Sequence, residues 1–190
     1  MGLFIRRLKI YFIFCILNLI LLKLLFCSEP DLNFARKEFL AGNYQKSIII
    51  AESIETANSK VFQSRVMSIY THFFKDGDEA KKGFLDAYEV AKHAIFLEPN
   101  NDEAYVEAAH SLGRYGQKIG IMSAISEGIA DRVRKYLDKA LSLNSDNIIA
   151  NISKGIWHSE IINQAGKTLA KAIYGADIKL ARQHFIDVYN

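Results

Sequence analysis

Proline occurs twice in 190 residues, cysteine twice and tryptophan once. So few prolines leave long stretches free to be helical, because the ring and the missing N–H of proline break a helix interior. A high share of Ala, Ile, Leu and Lys argues for helices over strands. Both cysteines, Cys15 and Cys27, fall in the first 28 residues. The remainder therefore has neither a disulfide nor a thiolate nucleophile. Acidic residues are missing from those same 28 residues, which hold Arg6, Arg7, Lys9 and Lys23. The formal charge of +3 is thus a property of the leader, since beyond it 20 basic residues face 21 acidic ones. A nearly neutral body gives no electrostatic reason to bind nucleic acid.

Residues 1–28 read as a signal peptide or a membrane anchor. A basic start precedes an apolar run from Ile10 to Leu22, in which Asn18 is the strongly polar member. That length suits a signal-peptide core better than a membrane span, which needs about 20 apolar residues. Cleavage wants small residues near the leader's end, and Leu25 with Cys27, or Phe26 with Ser28, fill those places poorly. "LLFC" resembles a lipoprotein box around Cys27, with Phe26 where a small residue normally stands. Cleavage, lipidation at Cys27 and retention as a membrane tether stay open. Each predicts a body exported to the periplasm or the envelope.

Residues 29–190 are expected to form one all-helical domain. "DLNFARKEFLAGNYQKSIIIAESIET" breaks at Gly42-Asn43 into two helices. Phe34, Phe39 and Leu40, then Ile48, Ala51 and Ile54, recur every three to four residues and predict one buried stripe on each helix. Two such helices with a tight turn make a helical hairpin. "AIFLEPNNDEAYVEAA" from Ala94 and "ALSLNSDNIIANISKG" from Ala140 repeat one another: Ala94 pairs with Ala140, Leu97 with Leu143, Asn101 with Asn147, Ala104 with Ala150, and Ala109 with Gly155. Each segment reads as a helix end, a polar turn and a new helix start, with Asn serving the exposed amides.

These small residues at helix contacts, with Pro99 at a turn between units, resemble the tetratricopeptide repeat family. Ala87, Ala91, Ala94 and Pro99 match its pattern at one second helix, Ala140 and Gly155 at the next junction, and Ala181, Phe185 and Val188 at the last. The resemblance covers roughly residues 31–190 and implies a superhelix of three to four hairpins. The family's period is about 34 residues. Here Ile54, Ala94, Ala140 and Val188 stand 40, 46 and 48 residues apart. The surplus lies in two glycine-bounded, largely apolar insertions, Gly116–Gly128 and Asn163–Ala176. They are expected to pack on each other or over the concave face and to close a pocket there. The expanded units are also similar to exported bacterial tetratricopeptide-like proteins. More distantly they resemble the helical subunit of some periplasmic solute transporters and regulators of microtubule dynamics.

Chemistry has few carriers. His72, His93, His110, His158 and His184 lie on separate elements, and no two stand four apart as helical metal ligands would. Gly166-Lys167-Thr168 ends like a phosphate-binding loop, but Ile161 occupies the place of the earlier glycine. "NIS" at Asn151 falls inside a predicted helix and reads as a chance glycosylation pattern. In "DRVRKYLDKAL" the charges form a solvated helix face opposite Val133, Leu137 and Ala140. No serine or cysteine shows an identifiable base, so no catalytic residue, metal or cofactor is assigned. "GIWHSE", Gly155 to Glu160, reads first as packing, with His158 and Trp157 each making one hydrogen bond.

The resemblance therefore implies a non-enzymatic scaffold that binds a protein or peptide in its concave groove. Tyr105, His110, Arg114, Tyr115, Trp157, His158 and Glu160 are its candidate lining, with Arg114 as the anchor for a carboxylate. The alternative is a small-molecule-binding subunit of a periplasmic transport system. Neither reading involves nucleic acid.

Overall fold

Asparagine and threonine side chains start several of the helices. Thr56, Asn101 and Asn147 accept hydrogen bonds from the amides of Ser59, Ala104 and Ala150 at 3.3, 3.2 and 2.8 Å. The computed structural model describes residues 31–188, so the readings for residues 1–28 lie outside the described residues. Nine α-helices follow one another there: α1 (Leu32–Leu40), α2 (Tyr44–Glu52), α3 (Ala57–Phe74), α4 (Gly77–Leu97), α5 (Asp102–Ile119), α6 (Ile121–Ser126), α7 (Ile129–Leu143), α8 (Ile148–Leu169) and α9 (Ile178–Asp187). A π-helical turn, Ala170–Tyr174, precedes the last. The fold is all-α, with no strand among the described residues. No helix among them is long and apolar enough to cross a membrane.

The helices pack as four hairpins, α1 with α2, α3 with α4, α5 with α7, and α8 with α9, each set against the next. First helices also touch first helices, α3 on α5 and α5 on α8. The repeat read from the sequence is present in three dimensions. Ala94 and Ala140 are both fully buried, and their carbonyls accept the helix-ending amides of Glu98 at 3.0 Å and Asn144 at 2.9 Å. Pro99 and Ser145 occupy matching turns.

Small residues dominate the helix contacts. Ala35, Ala51, Ala87, Ala91, Ala94, Ala104 and Ala108 are fully buried, beside only a few large side chains such as Phe84 and Leu112. Backbones that approach over alanine bring buried serine hydroxyls within reach of neighbouring carbonyls. Ser47, Ser59 and Ser64 donate to the carbonyls of Ala35, Ala51 and Ala87, each at 2.8 Å. This corrects the stripe expected on α1: Phe34 and Leu40 are exposed, while Ala35 and Glu38 are buried. The helix turns its small side inward so that Ser47 can bond across, and Lys46 and Asn43 satisfy the Glu38 carboxylate at 2.8 Å each.

Both insertions feed one hydrophobic cluster. Ile119 and Ala124 from the first, and Ala165, Ala170, Tyr174 and Ala176 from the second, join Leu112, Val133, Leu137 and Trp157. Neither insertion contributes a residue to the groove lined by the first helices, so of the two expected arrangements the one over the concave face is not seen. Met122, Ile125, Leu169 and Ile173 remain exposed on the insertions. Gly166, at φ 74° and ψ 155°, kinks α8 where the second insertion begins to turn away, and Lys167-Thr168 continue in helix. Asn151 is buried as a packing residue, its amide donating to the Ser145 carbonyl at 2.8 Å.

Two glycines separate close approach from mere tolerance. A Cβ on Gly155 would meet the Phe185 ring at 2.7 Å and the backbone oxygen of Ala181 at 3.1 Å. A Cβ on Gly113, inside α5, would meet only Val133 at 3.9 Å. Gly155→Ala should therefore destabilise by about 1–3 kcal/mol through overpacking. Gly113→Ala should stabilise by about 0.5–1 kcal/mol through helix propensity. Urea unfolding of the two variants beside the wild type measures both, and opposite signs are expected.

Candidate functional site

Three first helices lay their periodic faces along one groove of about 830 Å³. From α3 come Arg65, Ser68, Ile69, His72 and Phe73, and from α5 come Asp102, Glu103, Val106, Glu107, His110 and Arg114. The turn before α8 and its first residues add Asn144, Asp146, Asn147, Ile148 and Ile149. The spacing of three to four residues on α3 and α5 puts each set on one helix face. The rim is open to solvent, with Phe73 71 % and Ile148 54 % exposed.

A polar network fixes the groove walls. Glu107 is only 3 % exposed and accepts from Arg65 Nε at 2.7 Å, while the same guanidinium reaches Glu103 at 3.2 Å. Burial raises the Glu107 carboxyl above its ordinary range against the opposing pull of Arg65. Burial weakens the Arg65 charge, but Glu107 and Glu103 outweigh it and hold the guanidinium pKa above its usual value. Beneath this pair Ser111 bonds Ser64 at 3.3 Å and Ser68 at 2.9 Å, joining α5 to α3. At the other wall the Asp102 carboxylate accepts from the side-chain amides of Asn144 and Asn147 at 2.8 and 2.7 Å.

His110 ties α5 to α8 through a 2.7 Å hydrogen bond between its Nε2 and Ser153 Oγ. Burial, then the charges of Arg65 and Arg114, push its pKa down to about 4, so the imidazole is neutral at neutral pH. The pair is a serine with a base, which the sequence alone did not disclose. Both residues project from helix interiors, whose amides are already bonded within the helix and form no oxyanion hole. Arg114 is exposed and makes no hydrogen bond or ion pair. It is a cation free to meet a ligand.

His110 and Arg114 thus line the groove, and the other candidates lie elsewhere. Tyr105 donates to the Pro99 carbonyl at 3.0 Å and tilts against Tyr136. Tyr115 packs half-buried on the main cluster. Trp157 is buried and donates from Nε1 to the Ala130 carbonyl at 2.9 Å. His158, 3 % exposed, accepts on Nδ1 from the Asp177 amide at 3.3 Å and stacks on His184 at 5.8 Å. Glu160 is exposed on α8 outside the groove lining. Arg65, Glu107, Ile69 and Phe73 were missed. For Arg65, Ile69 and Phe73 the signal is the four-residue spacing in "RVMSIYTHFF", a segment without repeat markers, while Glu107 lies on α5 outside that segment. Among the described residues no three His, Cys, Asp or Glu side chains gather as a metal site.

The model of a family described as regulator of microtubule dynamics protein 1-3 matches residues 38–186. That span runs from the end of α1 into α9 and contains every wall of the groove. No curated protein matches the chain.

Burial, then Lys154 and His184, pushes His158 down to about 4, and burial, then Lys154, lowers His184. Asp138, Asp177 and Asp187 face the same pair and partly offset this. A histidine pKa depressed in the fold means that the unfolded chain binds more protons between about 4 and 6.5. The stability that this pair contributes is therefore full above pH 6.5 and is lost as pH falls toward 4. Thermal melts at pH 7.5, 5.5 and 4.5 should show a progressive fall in Tm. His184→Asn should shrink the part of that fall that lies above pH 4.5.

Proposed function

The chain belongs to the regulator of microtubule dynamics protein 1-3 family, and from that membership we propose a non-catalytic binding protein that holds a peptide segment of a protein partner between α3, α5 and α8. The observation that carries this reading is the unpaired Arg114 at one end of a groove with apolar walls, Ile69, Phe73, Val106, Ile148 and Ile149. A guanidinium without a partner offers a carboxylate a charge-assisted, bidentate bond at no cost in broken pairs. Apolar walls around it supply the burial that such a bond needs to become affinity. Microtubule regulation, the role in the family's description, would then be exercised by holding a partner and not by altering it covalently.

We read the stack as tetratricopeptide-like, because first helices line the groove and contact one another along it. Export, and tethering through residues 1–28, remain part of the proposal on the strength of the leader's basic start and apolar run. The small-molecule reading calls for an enclosed cavity. The exposed rim at Phe73 and Ile148 favours an extended chain instead.

A photo-crosslinking amino acid placed at Phe73 or Ile149 in the groove should trap a partner protein from an extract. The same probe at Phe96, exposed on the second helix α4, should not. Arg114→Ala should cut the groove crosslink about tenfold or more, in line with loss of a hydrogen bond to a charged group, and leave the melting temperature unchanged. Equal trapping at Phe96, or full trapping in Arg114→Ala, would reject the groove as the binding site.

A further inference from the structure

We propose that the groove accepts an extended peptide of fixed polarity: a basic residue at the end where α5 begins, apolar residues in the middle, and an acidic residue about five positions away at Arg114. This rests on the peptide-binding reading of the groove and adds the chemistry and direction of the ligand.

The charges of the groove are sorted along α5. Its first turn carries Asp102 and Glu103, and Asp146 stands on the wall that precedes α8. Arg65 engages Glu107 and shares itself with Glu103, so one cation serves two carboxylates. Asp102 is held by two neutral amides, which position its charge without cancelling it. The start of α5 is therefore a net negative end. First-turn carboxylates also offset the helix dipole, and that role leaves them charged toward a ligand.

The opposite end has the reverse sign. Arg114 has no anionic partner, and the neighbouring His110 is occupied by Ser153. Glu103 and Arg114 stand eleven positions apart, which is about 16 Å along a helix. An extended chain rises about 3.3 Å per residue, so about five residues bridge the two ends. Between them Ile69, Val106 and Ile149 face the groove, which fits apolar side chains at alternate positions of such a chain. A peptide in the reverse direction would set its acid against Asp102 and Asp146 and its base against Arg114, and like charges brought together oppose binding.

The test is selection of a random displayed nonapeptide library on the full chain, kept in mild detergent for its apolar leader. The expected consensus is Lys or Arg, then apolar positions, then Asp or Glu about five residues on. On Arg114→Glu the acidic preference should become basic while the rest persists. On Asp146→Lys, which leaves Asp102, Glu103 and Glu107 in place, the basic preference at that end should weaken while the acidic preference persists. A synthetic consensus peptide should bind Arg114→Glu about 10- to 100-fold more weakly than the wild type, with unchanged circular dichroism confirming the fold. Enriched peptides without this charge order, or an order that Arg114→Glu leaves intact, would overturn the polarity while sparing the groove. No enrichment at all on the wild type would overturn the peptide-binding reading itself.

Discussion

Close approach of helix backbones over alanine, glycine and serine is the constraint on which the rest of the structure depends. Alanines at the contact lines are fully buried, so each helix sits near enough for a serine hydroxyl to bond a carbonyl of its neighbour. Ser47, Ser59 and Ser64 do this at successive interfaces, α2 on α1, α3 on α2, and α3 on α4. A hydroxyl buried without a partner is costly. The serines thus make the close spacing mutual: loosened helices would strand donors in an apolar interior. At the last hairpin the same spacing is set by Gly155, which lies under the Phe185 ring.

That spacing decides where the groove falls. Second helices take the outer layer, and first helices are brought side by side with one face each left over. On α3 and α5 the leftover faces carry polar residues that pair across the gap, Arg65 with Glu107 and Ser68 with Ser111. His110 and Ser153 do the same between α5 and α8. These links cross between hairpins and keep the walls at fixed separation. Because burial and neighbouring cations keep His110 neutral, Arg114 and not His110 supplies the charge on that stretch of α5.

The hairpins and the repeat were legible because they depend on local chemistry. Asn101 and Asn147 cap as their spacing implies, and Gly42, at φ 81°, turns the first hairpin where "GN" stands. "GIWHSE" also resolved as packing: Gly155 admits α9, Trp157 bonds Ala130, and His158 receives the Asp177 amide. The groove was legible only in part. His110 and Arg114 share a face by their spacing alone. Arg65, Glu107 and Ser153 matter through contacts between residues 42 or 43 positions apart, and no local period reveals those. The stripe on α1 failed for a related reason. An apolar count favours Phe34 and Leu40, whereas close packing favours the small Ala35.

The insertions show how the groove stays open. Thirteen apolar-rich residues at Gly116–Gly128 and fourteen at Asn163–Ala176 are enough to fold over a concave face. Burial against Trp157, Leu112 and Leu137 was available on the other side of α5 and α8, and Ala124, Tyr174 and Ala176 take it. Trp157 is what makes that side attractive: its large ring fills the space between α7, α8 and the two insertions while its Nε1 finds the Ala130 carbonyl. Trp157 therefore bears on the shape of the groove without lining it. It draws the insertions toward the core and leaves α3, α5 and α8 facing solvent.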